Sequence, residues 1–388
     1  MQLIQLFVEE GYKITFASTA LASERSVNLE DLGILTIPIA LNDSSFDNFI
    51  LKLNPSVVLF DRYITEEQFG WRVAEKCPNA LRILDTEDLH FLRKARQEAV
   101  KAGILAREAN VFTITAKREL ASIFRCDLSL IISEVELEIL QNTFKVPKEI
   151  LHYIPFLVAH TSEEQKEKLP TFDAREHFVT IGNFQHAPNA DSIDYLNKEI
   201  WPAIRQKLPK TQLHVYGAYA SKHISEMHNE RDGFLIKGWV PEVAEVMQKA
   251  RVCMAPLRFG AGLKGKIVDA MCYGTPCITT AVGAEGIHGT LPFPGRVEDE
   301  VAVFVNASVK LYSEPKPWHE AQQKGFSIIE NRFQKSTFSD GFKEKIKQLQ
   351  QNLNAHRTKN FMGQILQYHT LQSTKYLSKY IETKNSKQ

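Results

Sequence analysis

A chain of 388 residues is long for one hydrophobic core and favours two domains. Apolar residues at 44%, charged residues at 24% and a formal net charge of +1 are ordinary for a soluble globular protein. They leave no global pull towards nucleic acid or a strongly anionic surface. No apolar run approaches the ~18 residues of a membrane span. The opening MQLIQLFVEEGYK has no basic n-region or cleavage site of a signal peptide. The five cysteines, Cys77, Cys126, Cys253, Cys272 and Cys277, contain no CxxC pair. Buried free thiols in a reducing cytoplasm are the expectation.

In chain order, the spacing of Leu3, Ile4, Leu6 and Phe7 predicts a helix over 2–10, stopped by Gly11. Strands are predicted at 12–17, 34–39, 57–61 and 82–85, the last running directly into Thr86-Glu87-Asp88-Leu89-His90. Helices follow over 91–101 and 107–124, then a strand at 128–132. A helix starts near Ser133 with Glu136 as its capping-box partner, and 150–154 is strand-like. Alternation of this kind predicts a mostly parallel sheet covered on both faces. The polar run AHTSEEQKEKLPTFDA, 159–174, reads as an interdomain linker.

After it the alternation restarts. Strands are predicted at 178–181, 212–216, 234–237 and 252–255, and helices at 191–208 and 241–249. Beyond Val301 the chain turns helical, over 301–311, 318–329 and 339–353. The residues from His356 to Gln388 read as a terminal helix or two that pack weakly, with a disordered end.

The stretch MAPLRFGAGLKGKIVDAMCYGTPCITTAVGAE, 254–285, joins an apolar strand, a glycine-rich loop and a helix. That order presents unpaired backbone N–H groups to an anion. Arg258, Lys264 and Lys266 lie on or beside the loop, and the helix N-terminus adds roughly half a positive charge. Ile267, Ala270, Met271 and Gly274 form the core stripe of that helix. Lys266, Asp269 and Tyr273 fall on another face, from which an aspartate can reach vicinal hydroxyls. Helix capping ahead of Phe91 is an equal reading for Asp88.

Four segments resemble, in order, the donor domain of GT-B glycosyltransferases, specifically the large retaining family 4. They are GNFQHAPNADSIDYLNKEIWPAIRQKLPKTQLHVYG, KGWVPEV, APLRFGAGLKGKIVDAMCYGTPCITT and VGAEGI, within 178–296. ILDTEDLHFLRKARQEA is more loosely similar to the acceptor domain of the same fold. The resemblance implies an α/β fold of two Rossmann-like domains facing across a cleft, the first lacking its opening strand. Its bounds are 1–158 for the acceptor side, 159–174 for the linker, 175–335 for the donor domain and 336–388 for C-terminal helices and tail. It implies a metal-independent, hexosyltransferase-like enzyme that needs no cofactor. A nucleotide-diphosphate sugar would give up its sugar, with retention, to a glycan or lipid-linked glycan.

By the same resemblance, Gly182 and Asn183 lie near the donor phosphates or sugar, and the backbone around Gly238 flanks the nucleobase. Gly260 and Gly262 shape the phosphate loop, and Arg258, Lys264 and Lys266 neutralise the diphosphate. Asp269 binds the ribose and Glu285 belongs to a loop beside the donor. Asp85, Glu87, Asp88 and His90 are the acid–base and positioning groups across the cleft. Three departures stand out. The family's paired glutamates read Ala261 and Asp269 here. The basic pair after the first donor-domain strand is absent from Gly182-Asn183-Phe184-Gln185-His186. The acceptor domain opens with a helix, so a central sheet position lacks its strand. A non-catalytic protein keeping the nucleotide-sugar pocket, or a nucleotide-sugar epimerase, stays open beside the transferase. No nucleic-acid partner is expected, whereas Lys343 to Lys347 and the aromatic tail can touch a membrane surface.

Overall fold

The structure, a computed structural model, describes residues 1–20 and 26–385. Helix α1 (Gln2–Glu9) leads through Gly11, at φ +76°, towards β1 (Thr15–Ser18) and β2 (Leu35–Pro38). Strand β1 begins three residues later than its pattern suggested. The first half continues with α2 (Ser45–Leu53), β3 (Val57–Asp61), α3 (Arg62–Lys76), β4 (Leu81–Asp85), α4 (His90–Lys101) and α5 (Ile114–Arg125). It closes with β5 (Leu128–Ile131), α6 (Glu134–Glu138) and β6 (Leu151–Tyr153). The helix expected over 107–124 is shorter. A single 3-10 turn covers Ala106–Glu108, and α5 starts afresh where Thr113 caps the N–H of Ala116 at 3.1 Å.

These strands form two parallel sheets, β1–β2 and β3–β4–β5–β6. Among the described residues no pairing joins β1 to β3, and a cavity lined by both strands opens between them. The first half therefore carries a gap where a continuous sheet would have a central strand. Apolar side chains of α1 and of β3 to β6 still make one core layer, with Leu6, Leu81, Ile83, Leu128 and Leu130 fully buried.

The linker holds a short helix α7 (Glu163–Glu167), started by a capping box between Ser162 and Gln165. Beyond it come β7 (Glu176–Ile181), α8 (Ala187–Tyr195), α9 (Trp201–Lys207), β8 (Leu213–Tyr216), α10 (Lys222–Ser225) and β9 (Phe234–Gly238). Next are α11 (Val243–Lys249), β10 (Ala250–Ala255), α12 (Gly265–Cys272), β11 (Cys277–Thr279), α13 (Ala281–Ala284) and β12 (Gly295–Val297). The helix expected over 191–208 starts earlier, at Ala187, and a π-helical turn at Leu196–Ile200 separates its two parts. The six strands make one parallel sheet in the order β12-β11-β10-β7-β8-β9. A strand buried on both faces must be apolar throughout, and β10 shows it: Val252, Cys253, Met254 and Ala255 are all fully buried.

Helices α14 (Val301–Ser313) and α15 (Pro315–Ile328) cover this sheet, and α16 (Lys335–Gln351) crosses back to the first half. There Phe342, Ile346 and Leu349 pack on Leu6, Leu81 and Leu128. Helix α17 (Leu353–Lys359) follows, and α18 (Phe361–Asn385) then lies on α3 and α5. They are fastened more firmly than the polar sequence suggested. Arg357 binds Asp127 and the carbonyls of Pro78 and Ala80, and Gln367 donates to the carbonyl of Arg125. The expectation for 386–388 lies outside the described residues.

Candidate active site

A single cavity of about 2580 Å³ continues from the gap between β1 and β3 into the cleft between the two halves and is lined by the carboxyl ends of strands from both. Ligands of open α/β sheets bind at such ends. On the second-half side, three turns converge, after β7, β8 and β10. Their approach is close enough to demand glycine: a Cβ on Gly217 would stand 2.0 Å from the carbonyl oxygen of Gly182. Gly182 and Asn183 line the cavity. Asn189 of α8 donates to the Asn183 carbonyl at 3.0 Å and accepts from Lys266 Nζ at 2.8 Å.

Helix α12 behaves as its stripe dictates. Ile267, Ala270 and Met271 are buried in the core, while Lys266, Asp269 and Tyr273 line the cavity. Lys264, the residue before the helix, bends its ammonium onto the carbonyls of Ala261 (3.2 Å) and Gly262 (2.7 Å). Burial disfavours both lysine charges and pushes each down to about 8. Burial likewise raises the Asp269 carboxyl to about 6. The site is thus a cation-bearing pocket in which an anion relieves a desolvation cost already present.

The glycine loop is held from across the cleft. Gly262, at φ +62°, donates its N–H to Glu136 Oε1 at 2.7 Å, and the same oxygen accepts the N–H of Leu89 at 2.8 Å. Arg96 of α4 donates to the Gly260 carbonyl at 2.9 Å and forms a two-pronged pair with Glu285, at 2.6 and 2.8 Å. Glu285, expected in a loop beside the donor, does not line the cavity, and its carboxylate is spent on Arg96. Glu136 is not a capping-box partner: Ser133 caps α6 without a side-chain bond, and the carboxylate turns to backbone groups far away in sequence.

On the first-half side, Asp85, Glu87, Asp88 and His90 all line the cavity. Burial, reinforced by the Glu87 charge, raises Asp85 to about 7. Burial also holds His90 neutral, down at about 4, with its Nε2 3.4 Å from Asp88 Oδ1. Asp88 gives its other oxygen to Arg93 and does not cap α4. The N–H groups at the start of that helix, which have no partner within it, go instead to buried carboxylates. His90 and Phe91 donate to Glu119, at 3.0 and 2.8 Å, and Leu89 donates to Glu136.

Arg258 sits elsewhere. It pairs with Asp191 of α8, lies over the Tyr195 ring at 5.1 Å, and does not line the cavity. The loop's basic groups in the cavity are Lys264 and Lys266, joined by Arg93 and His186, which sequence reasoning did not single out. Gly238 ends β9 at φ +77° and is followed by Trp239 and Val240, which do line the cavity. Arg93 and Arg96 were legible as a basic pair at i, i+3 on the helix after β4. Nothing local marked Glu119, Glu136 or Asn189.

Two halves with parallel sheets, a cleft between them and a returning C-terminal helix define the GT-B fold. Residues 175–314 match the family model described as Glycosyl transferases group 1, and the chain as a whole has the GT-B fold. Among solved structures, sucrose-phosphate synthase from Thermosynechococcus elongatus aligns with a TM-score of 0.64 at 15% identity, covering 90% of this chain and 92% of that one. Anabaena HepE in complex with UDP aligns with a TM-score of 0.63 at 12% identity, covering 90% and 96%. A point mutant of S. aureus TarM, in complex with fondaparinux, alpha-GlcNAc-glycerol and UDP, aligns at 0.58 and 13%, covering 77% of this chain. This chain spans 58% of that TarM chain. Comparison with curated proteins by sequence gave no match.

Proposed function

We propose that the protein transfers a sugar from a nucleoside-diphosphate sugar, UDP-linked in the first instance, to a hydroxyl of a glycan or lipid-linked glycan. The observation that carries this reading is the pair of cavity-lining lysines, buried Lys264 and half-buried Lys266, beside a glycine loop that faces a two-sided cleft. The complexes of HepE and TarM with UDP support the choice of nucleotide. In the reaction the bond between sugar C1 and the phosphate oxygen breaks, and its electron pair leaves with the diphosphate. Lys264, Lys266 and the N–H groups at the start of α12 meet that growing charge, which electrostatic preorganisation favours over the ground state. No metal is required where fixed cations do this. Asp269 takes the ribose hydroxyls, and Gly182 and Asn183 the phosphate or sugar side. Asp85 titrates near neutrality and is matched to proton exchange with the acceptor hydroxyl, with Asp88 and neutral His90 as its positioning neighbours. Retention of configuration follows from the family resemblance.

A thermal-shift panel of UDP, ADP, GDP and their sugars tests the pocket, because a ligand that binds only the folded state raises its melting temperature. A shift for the uridine series is expected, and a flat response throughout overturns the reading. The split first-half sheet and Ala261 at the place of an acid favour one second reading, a pocket that binds donor without transferring it. Glycosylated product detected by mass spectrometry eliminates that alternative.

A further inference from the structure

Helix α18 is amphipathic the wrong way round for a surface helix. Its inward face is small and polar. Gly363 packs so closely that a Cβ would stand 2.2 Å from the Phe124 carbonyl oxygen, and Gln367 donates to the carbonyl of Arg125 at 2.8 Å. Ser378 accepts from Arg72 at 3.2 Å, and Glu382 accepts the N–H of Ser44 at 2.9 Å. Its apolar residues point away from the protein: Phe361, Met362, Tyr368, Tyr376, Leu377 and Tyr380 are between 52% and 70% exposed. At 3.6 residues per turn, Phe361, Tyr368, Tyr376 and Tyr380 fall within an arc of about 120°, along about 28 Å of helix. A row of exposed aromatic side chains on one face, with His369, Gln372 and Lys379 set among them, is a contact surface rather than scattered exposure.

Charge says what it contacts. From Leu353 to Asn385 the only acid is Glu382, which is turned inwards to Ser44 and Arg72. Lys379 lies within the aromatic arc, and Lys359 and Lys384 flank its two ends, all exposed. Exposed tyrosines and a phenylalanine on one face, with lysines and no acid among them, match the boundary between headgroups and acyl chains of an anionic bilayer. No helix among the described residues is long and apolar enough to cross a membrane. We infer that α18 lies flat on an anionic lipid surface through Phe361, Tyr368, Tyr376 and Tyr380, with Lys379 and Lys384 on the headgroups. Its polar back stays bonded to α3 and α5, so the contact fixes the first half, and with it one wall of the cleft, against the membrane. This holds whatever the donor.

Flotation of the full chain with phosphatidylcholine vesicles, and with equal parts phosphatidylcholine and phosphatidylglycerol, tests it. Binding to the anionic vesicles only, weakened by salt, is expected. Lys379→Glu with Lys384→Glu should lower it about fivefold per charge or more, and Tyr376→Ser with Tyr380→Ser roughly tenfold. Since these side chains face outwards, both variants should keep the parent's melting temperature; if the tyrosine pair fails to fold, the lysine pair still decides. Absence of anionic-vesicle binding by the parent overturns the proposal, as does binding that neither pair changes. So does a dimer in sedimentation velocity without vesicles that the same substitutions dissociate, which would make a second copy the occupant.

Discussion

The two halves solve the same architectural problem with different means. The second half runs six parallel strands without interruption, and its largest buried cation, Arg175, is satisfied by backbone carbonyls and Thr275 within that half. The first half splits its strands into sheets of two and four, and its helices are tied by buried ion pairs instead. Arg125 of α5 grips Glu66 of α3, both fully buried, and Arg72 joins Asp47 of α2 to Ser378 of α18. The second half is thus a self-supporting frame. The first half depends on charged side chains and on what lies over it. Hydrogen bonds supply direction where the sheet is missing, at the cost of making stability hang on single partners.

The sharpest way to break this comparison is Arg125→Ala. Removing one member of a buried pair strands the other, and a loss of about 3–5 kcal/mol in urea unfolding is expected. A loss under ~1 kcal/mol, the range of an exposed pair, would mean that the pairs do not brace the first half. Next in size, Lys266→Ala should lower donor turnover about 10²–10³-fold, as loss of a transition-state charge partner does. Its melting temperature should stay close to the parent's, since among the described residues the side-chain hydrogen bond of Lys266 is the one to Asn189. Equal losses in turnover and stability would assign the lysine to the frame rather than to the chemistry.

Gly262→Ala probes the seam between the halves. A Cβ there meets Asp88 Cβ at 2.8 Å, and the left-handed backbone adds about 1–2 kcal/mol. The expected result is weaker UDP binding in calorimetry with a larger radius of gyration in solution scattering. An unchanged radius would show that the seam yields elsewhere. The gentlest test is pH. Lys264 and Lys266 are neutral above about 8 in the empty pocket, and a diphosphate favours their protonated forms. UDP affinity should therefore fall as pH rises through 8, with proton uptake on binding near that pH. Calorimetry in two buffers of different ionisation enthalpy reads the uptake, and affinity constant from about pH 7 to 9.5 would remove the lysines from the phosphate site.

What could be read in the sequence follows the same divide. Strand β3 matched its pattern at both ends, as Val57 to Asp61. The α12 stripe placed Lys266 and Asp269 on the cavity side because helix period alone decides it. The acidic run after β4 was legible because strand ends position side chains. The failures are side chains with partners far along the chain. Glu136 reads locally as a cap, yet its bonds go to Leu89 and Gly262, 47 and 126 residues away. Arg258 reads as a phosphate group until Asp191, 67 residues earlier, takes it. Single-sequence patterns carry period and local caps, but no information on which distant group gets there first.

The gap between β1 and β3 has a consequence for how the molecule breathes. Among the described residues, backbone N–H groups along those two edges have no strand opposite them, although they lie in the middle of the first half. Their deuterium uptake should proceed within the early time points that normally report fraying ends, while β10, buried between β7 and β11, retains its protons until global unfolding. The first half would then open from its centre outwards, the reverse of the order in which a continuous sheet gives way.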